Sequence, residues 1–196
     1  MAHEVKRRAS LFAPLDEYHR QFEVLRSEGR ELIEGLDHRQ FNWSPAPGKW
    51  SIAQCISHID EVAALYCNSL EEALPRTLEK GLAGDTGRYN FLERWFVRQM
   101  EPPPKQRVKA PGKMRPVPEL DPEEGLRQFL ESKDRVVQLI WEYNGIDLAR
   151  AKIRNPILRF IKTSAGSAFA GMAAHERRHF WQAREILRHA DFPDPT

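Results

Sequence analysis

Two histidines four residues apart, His175 and His179, stand in the run His175-Glu176-Arg177-Arg178-His179. On a helix, residues turn by about 100° each, so the two imidazoles lie roughly 40° apart on one face. Ala168, Met172, Ala183, Ile186 and Ala190 share that face, which makes it the stripe a helix would bury. One buried imidazole is satisfied by a single hydrogen bond, whereas two stacked in an apolar stripe need more partners or a metal ion. A hydrogen-bonded core pair is the plainer alternative. His58 sits beside Val62 and Leu65 at the rim of an earlier apolar arc. Taken alone it is a packed or half-exposed histidine. As a third ligand it completes a three-histidine site with an open position. Three neutral imidazoles leave a divalent ion its full charge, so a thiol arriving there is held as thiolate. A water there has its pKa lowered, toward about 7 if the ion is zinc. Thiol transfer and hydrolysis both follow from such a site.

The same run fits H-E-x-x-H, the zinc-protease pattern in which the Glu acts as base. The extended version of that pattern requires Gly at 182 and His at 185, where this chain has Gln182 and Glu185. No sheet of the kind that carries such helices is apparent. Glu176 is therefore a secondary catalytic candidate, with a salt bridge as its plainer role. Gln182, one turn beyond His179, either orients a ligand or caps the core. His3, His19, His38 and His189 read as solvated, and the five tryptophans as core and loop anchors rather than a base-stacking platform. No glycine-rich phosphate loop and no C-x-x-C pair occurs.

Four long segments must position these residues. The first, from about Pro14 to Leu36, carries Tyr18, Phe22, Leu25, Leu32 and Ile33 at helical spacing. The second opens at Ser51, where Ser51 and Gln54 fit a capping box, and ends near Pro75. A short aromatic piece from Tyr89 to Met100 predicts a helical turn or two. Residues 101–119 hold six prolines and read as a long extended loop. Its basic residues read first as a solvated loop; the sharper alternative is a rim that attracts anions, with Lys109 and Lys113, flanking Pro111-Gly112, as the candidates to bind them. The third helix has Asp121 as N-cap, Pro122 in its first turn, Glu124 completing a capping box, and Gly145 just past its end. The fourth runs from Ser164 or Ser167 to Ala190. Nothing reads as a strand. The pattern predicts an all-α four-helix bundle with one long, Pro-rich connection between its second and third helices.

The 196 residues, 41% of them apolar and 30% charged, suit one globular domain over 11–192 behind an N-terminal tail over 1–10. A net charge of +2, from 30 basic and 28 acidic residues, is too balanced to suggest a nucleic-acid partner. No apolar run approaches the roughly 20 residues of a membrane span, and no signal peptide precedes the first helix. Cys55 and Cys67 fall on one helix, about 18 Å apart and too far to bridge. Unpaired thiols and no export signal lead to the expectation of a cytoplasmic protein acting on a small molecule.

The run Lys49-Trp50-Ser51-Ile52-Ala53-Gln54-Cys55-Ile56-Ser57-His58 resembles the second-helix signature of the DinB-like superfamily (DinB/YfiT-like, DinB_2). Ala174 to Ala183, with His175 and His179, resembles its fourth-helix signature. Lys109-Ala110-Pro111 and Asn155-Pro156 are similar to lesser features of the family. The resemblance implies a bundle connected up-down-down-up. It implies a divalent metal, nickel or zinc, held by His58, His175 and His179. It also implies thiol-dependent transferases or isomerases that use a low-molecular-weight thiol, and a homodimer. A metal-dependent hydrolase and a non-catalytic metal-binding protein are the alternatives.

Overall fold

The computed structural model describes residues 10–84, 89–104, 116–158 and 160–195. Its described residues form helices α1 (Ala13–Ile33), α2 (His38–Asn42), α3 (Ile52–Glu79), α4 (Phe91–Met100), α5 (Pro122–Glu142) and α6 (Ala165–Leu187). A hairpin of β1 (Lys152–Arg154) and β2 (Lys162–Ser164) precedes α6. The protein is thus mainly helical. The hairpin corrects the expectation of a strandless chain. Its two strands pair antiparallel over three residues each, with Ile153 opposite Thr163, too short for an alternating pattern to register in the sequence.

The helix starts follow their capping chemistry. Ser51 Oγ accepts a hydrogen bond from the Gln54 backbone amide, and the Gln54 side-chain oxygen accepts one from Ser51 N–H. Asp121 accepts from the amides of Glu123 and Glu124. The Glu124 side chain, read as closing a capping box, instead reaches Arg127 and Gln128. Ser164 caps α6 by accepting from Ser167 N–H. Three elements depart from expectation. α1 stops at Ile33, where Gly35 takes a positive φ of 84°, and Asp37 then caps the short α2. α3 continues through Pro75 to Glu79. Pro75 and Glu71, whose carbonyl loses its donor, are both exposed, so water can take that bond. α4 runs for ten residues behind an Asn90–Glu93 capping box.

α1 packs against α5 and α6, and α3 packs against the same two helices. Their facing stripes, joined by Phe41 of α2, make one core that includes Phe22, Ile56, Phe129, Phe169 and Phe180, each of the six 0% exposed. α1 and α5 approach closely at Gly29, where a Cβ would collide with the Phe129 ring. Tyr143 is buried and donates its hydroxyl to Leu70 O at 2.9 Å, tying α5 to α3. Two tryptophans do not anchor the core: Trp95 and Trp141 are exposed. Cys55 and Cys67 are free and buried. Among the described residues, no helix is long and apolar enough to cross a membrane.

Candidate metal centre

α3 and α6 bring His58, His175 and His179 together. One ring nitrogen of each lies within 4.8 Å of the other two. Ring centroids are 5.0 Å apart for His58–His175, 4.9 Å for His58–His179 and 4.5 Å for His175–His179. The Nε2 atoms of His175 and His179 face each other at 3.1 Å. Four-residue spacing on a helix produces that facing pair. His58, read as a rim residue, is only 4% exposed because α6 lies over it.

Burial pushes the His179 ring down to about 3, and the fields of His58 and Arg178 add to this. Gln182 opposes the shift, although the buried His179 Nδ1 has no hydrogen bond of normal geometry. His175 is held well below the usual histidine range, first by burial and then by His179, His58, Arg178 and Lys133. Both rings are therefore neutral near pH 7, with lone pairs to offer. Tetrahedral ligation at about 2.0–2.1 Å would set ligand nitrogens about 3.4 Å apart. The 3.1 Å approach is close to that spacing, so the three-histidine group could hold a divalent ion with small ring movements.

Trp50, the residue before the α3 cap, closes one side. Its ring stacks on His179 at 5.5 Å and 22°, and meets His58 at 4.9 Å and 60°. Sequence reasoning classed it only as an anchor. Its place directly before the Ser51 cap, two turns ahead of His58, was the available signal.

The other sequence candidates are placed differently. Glu176 points between helices α5 and α6, 2% exposed, and is paired with the fully buried Lys133. Burial pushes its carboxyl up and the Lys133 ammonium pulls it back. Asp60, on the opposite face of α3 from His58, joins this cluster. Its carboxyl is pushed up to about 7, chiefly by burial, with Lys133 opposing and Glu176 reinforcing the rise. Lys133 Nζ also lies 4.9 Å from the Phe129 ring centre. The signal for Lys133 was its slot in the α5 stripe, four residues after Phe129 and three before Val136. Lys109 and Lys113 lie outside the described residues, as does His3. His38 and His189 are exposed, and His19 is partly exposed against Trp141.

A family model described as the DinB superfamily matches residues 21–183 of the chain. No curated protein and no solved structure matches it.

Proposed function

Because the chain belongs to the DinB superfamily, we propose that it is a metal-dependent enzyme whose His58, His175 and His179 hold one nickel or zinc ion for S-transfer with a small thiol. The single observation that carries the metal is the convergence of three buried or half-buried imidazoles from two helices. A bound divalent ion would supply a Lewis acid with an open position that favours the thiolate form of a thiol.

The chain's own residues supply the rest. Trp50 shields two of the three rings, which keeps the donors dry and fixed. In this reading Gln182, whose side chain acts on the His179 ring, would orient it. The engagement of Glu176 by Lys133 favours thiol chemistry over a protease-like role for that carboxylate. The Pro-rich connection is held at both described ends beside the ligand-bearing helices: Glu101 pairs with Arg177 on α6, and Val117 N–H donates to Ser57 on α3. Lys109 and Lys113, the sequence candidates for an anion-attracting rim, lie in that connection outside the described residues. The mutual packing of α1, α3, α5 and α6 supports the up-down-down-up bundle connectivity.

Elemental analysis of the purified chain beside His58→Ala, His175→Ala and His179→Ala tests the metal. One divalent ion per chain in the parent and a marked loss in each variant is the expected result. Equal metal content in all four proteins would overturn the site.

A further inference from the structure

We propose that α4 and the tip of the β1–β2 hairpin form a docking face for an anionic phospholipid surface, on which the protein lies without crossing it. The inference is independent of the metal.

α4 carries its apolar face outward. At roughly 100° per residue, Phe91, Leu92, Trp95 and Phe96 fall within an arc of about 140°. They are 75%, 60%, 48% and 48% exposed. The opposite face seats the helix: Glu93, Val97 and Met100 are half-buried, and α4 packs on α6. Trp95 and Phe96 meet edge to face with centroids 5.0 Å apart, so this aromatic pair is held in place while still open to water. The hairpin adjoins the start of α4, because Glu93 accepts from Ser164 N–H at 2.7 Å. Its tip presents Phe160, 86% exposed. Large apolar side chains gathered on neighbouring elements in this way mark a surface that gains by being covered.

Charge selects what covers it. The exposed charged residues of α4 and the hairpin strands are Arg94, Arg98, Lys152, Arg154 and Lys162, all basic. The acids nearby are engaged: Glu93 with Ser164 and Thr163, and Glu101, which follows α4, with Arg177. Two copies meeting through this face would set like charges against each other. An anionic bilayer instead offers phosphates to the basic rim and hydrocarbon to the rings. Tryptophan in particular favours the headgroup level. A bilayer is also soft and takes a helix face and a loop tip at different heights, whereas a protein partner needs a matched pocket for each. Among the described residues no helix is long and apolar enough to cross a membrane, so the contact is with the surface.

Sedimentation of the full chain with vesicles of phosphatidylcholine alone, or with about one third phosphatidylserine, tests the proposal. The parent should partition about tenfold or more better onto the anionic vesicles, and added salt should weaken that preference. The double variant Trp95→Ser, Phe96→Ser should lose about tenfold in binding, and Phe160→Ser a smaller part. Arg94→Glu with Arg98→Glu should lose about tenfold or more. Val24→Ser, which removes an apolar side chain 56% exposed on α1, should bind as the parent does. Circular dichroism melts check that the variants fold, and the comparison of vesicles and of salt needs only the parent. A parent that stays in the supernatant with anionic vesicles, or binds neutral ones equally well, overturns the proposal. So does a folded Trp95→Ser, Phe96→Ser protein that binds undiminished. A parent dimer in solution that this double variant dissolves, with no vesicle binding, overturns it in favour of a second copy of the chain.

Discussion

Among the described residues, replacing Lys133 with methionine removes the fully buried cation of a cluster that holds two carboxyl groups. Lys133 is 0% exposed and Glu176 2%. Glu176 Oε2 is buried without a hydrogen-bond partner, and burial drives the Glu176 and Asp60 carboxyls up while Lys133 opposes the rise in both. Breaking a buried pair from one side strands a charge, at a cost of about 3–5 kcal/mol. Arg135 and Glu71 make a bidentate pair of their own, but with side chains 36% and 44% exposed. Arg135→Met should therefore cost about 1 kcal/mol or less and serves as the control. The double variant Lys133→Met, Glu176→Met replaces both charges by apolar chains of similar volume. It should regain most of the loss, because an apolar pair in that place is often no worse than the ion pair. Urea unfolding of the parent, Lys133→Met, Glu176→Met and the double variant with a common slope gives the cycle, with Arg135→Met run beside it. A Lys133→Met cost below about 1 kcal/mol, or a double variant as unstable as the sum of the two single ones, would refute the reasoning.

Chelation of a metal-loaded sample should lower the melting temperature, because the ion joins His58 on α3 to two histidines on α6 and binds only the folded form; an unmoved transition would show the cross-link to be idle. Glu176→Gln should retain metal and any thiol-transfer activity, whereas a loss of about a thousandfold with metal retained would identify Glu176 as a general base. Gly171→Ala should stabilise the chain by about 0.5–1 kcal/mol, since a helical glycine with open space gains propensity and meets no obstacle. Gly29→Ala should do the opposite, because its Cβ would drive into Phe129; thermal melts of the two variants check both signs.

The features legible in the sequence were those fixed by local chemistry. Ser51 with Gln54, and Asp121 with Pro122, marked helix starts because capping depends on residues within one turn. His175 and His179 were read as sharing a face because helical spacing alone decides that. The burial of His58, by contrast, depends on α6 lying over it, which no residue near position 58 encodes. The hairpin was missed because three-residue strands show no usable period. The continuation of α3 past Pro75 depends on the exposure of that turn rather than on its composition. Trp95 and Trp141 were taken for anchors on size and hydrophobicity, and both are exposed.

The ambiguity of His175-Glu176-Arg177-Arg178-His179 resolves at the level of the helix. Successive residues point about 100° apart, so one short run serves two neighbours at once. His175 and His179 face α3 and meet His58, while Glu176 faces α5 and meets Lys133. α3 divides its own residues in the same manner, with His58 toward α6 and Asp60 toward the Lys133 cluster. The donor set and the ion cluster therefore occupy different faces of the same two helices. In a protease the glutamate of this motif must reach the open side of the metal to take a proton from water. Here its side chain leaves the helix toward a buried lysine on a third helix. Trp50, which packs on His179 and His58, is the side chain that covers the donors, and it carries no base.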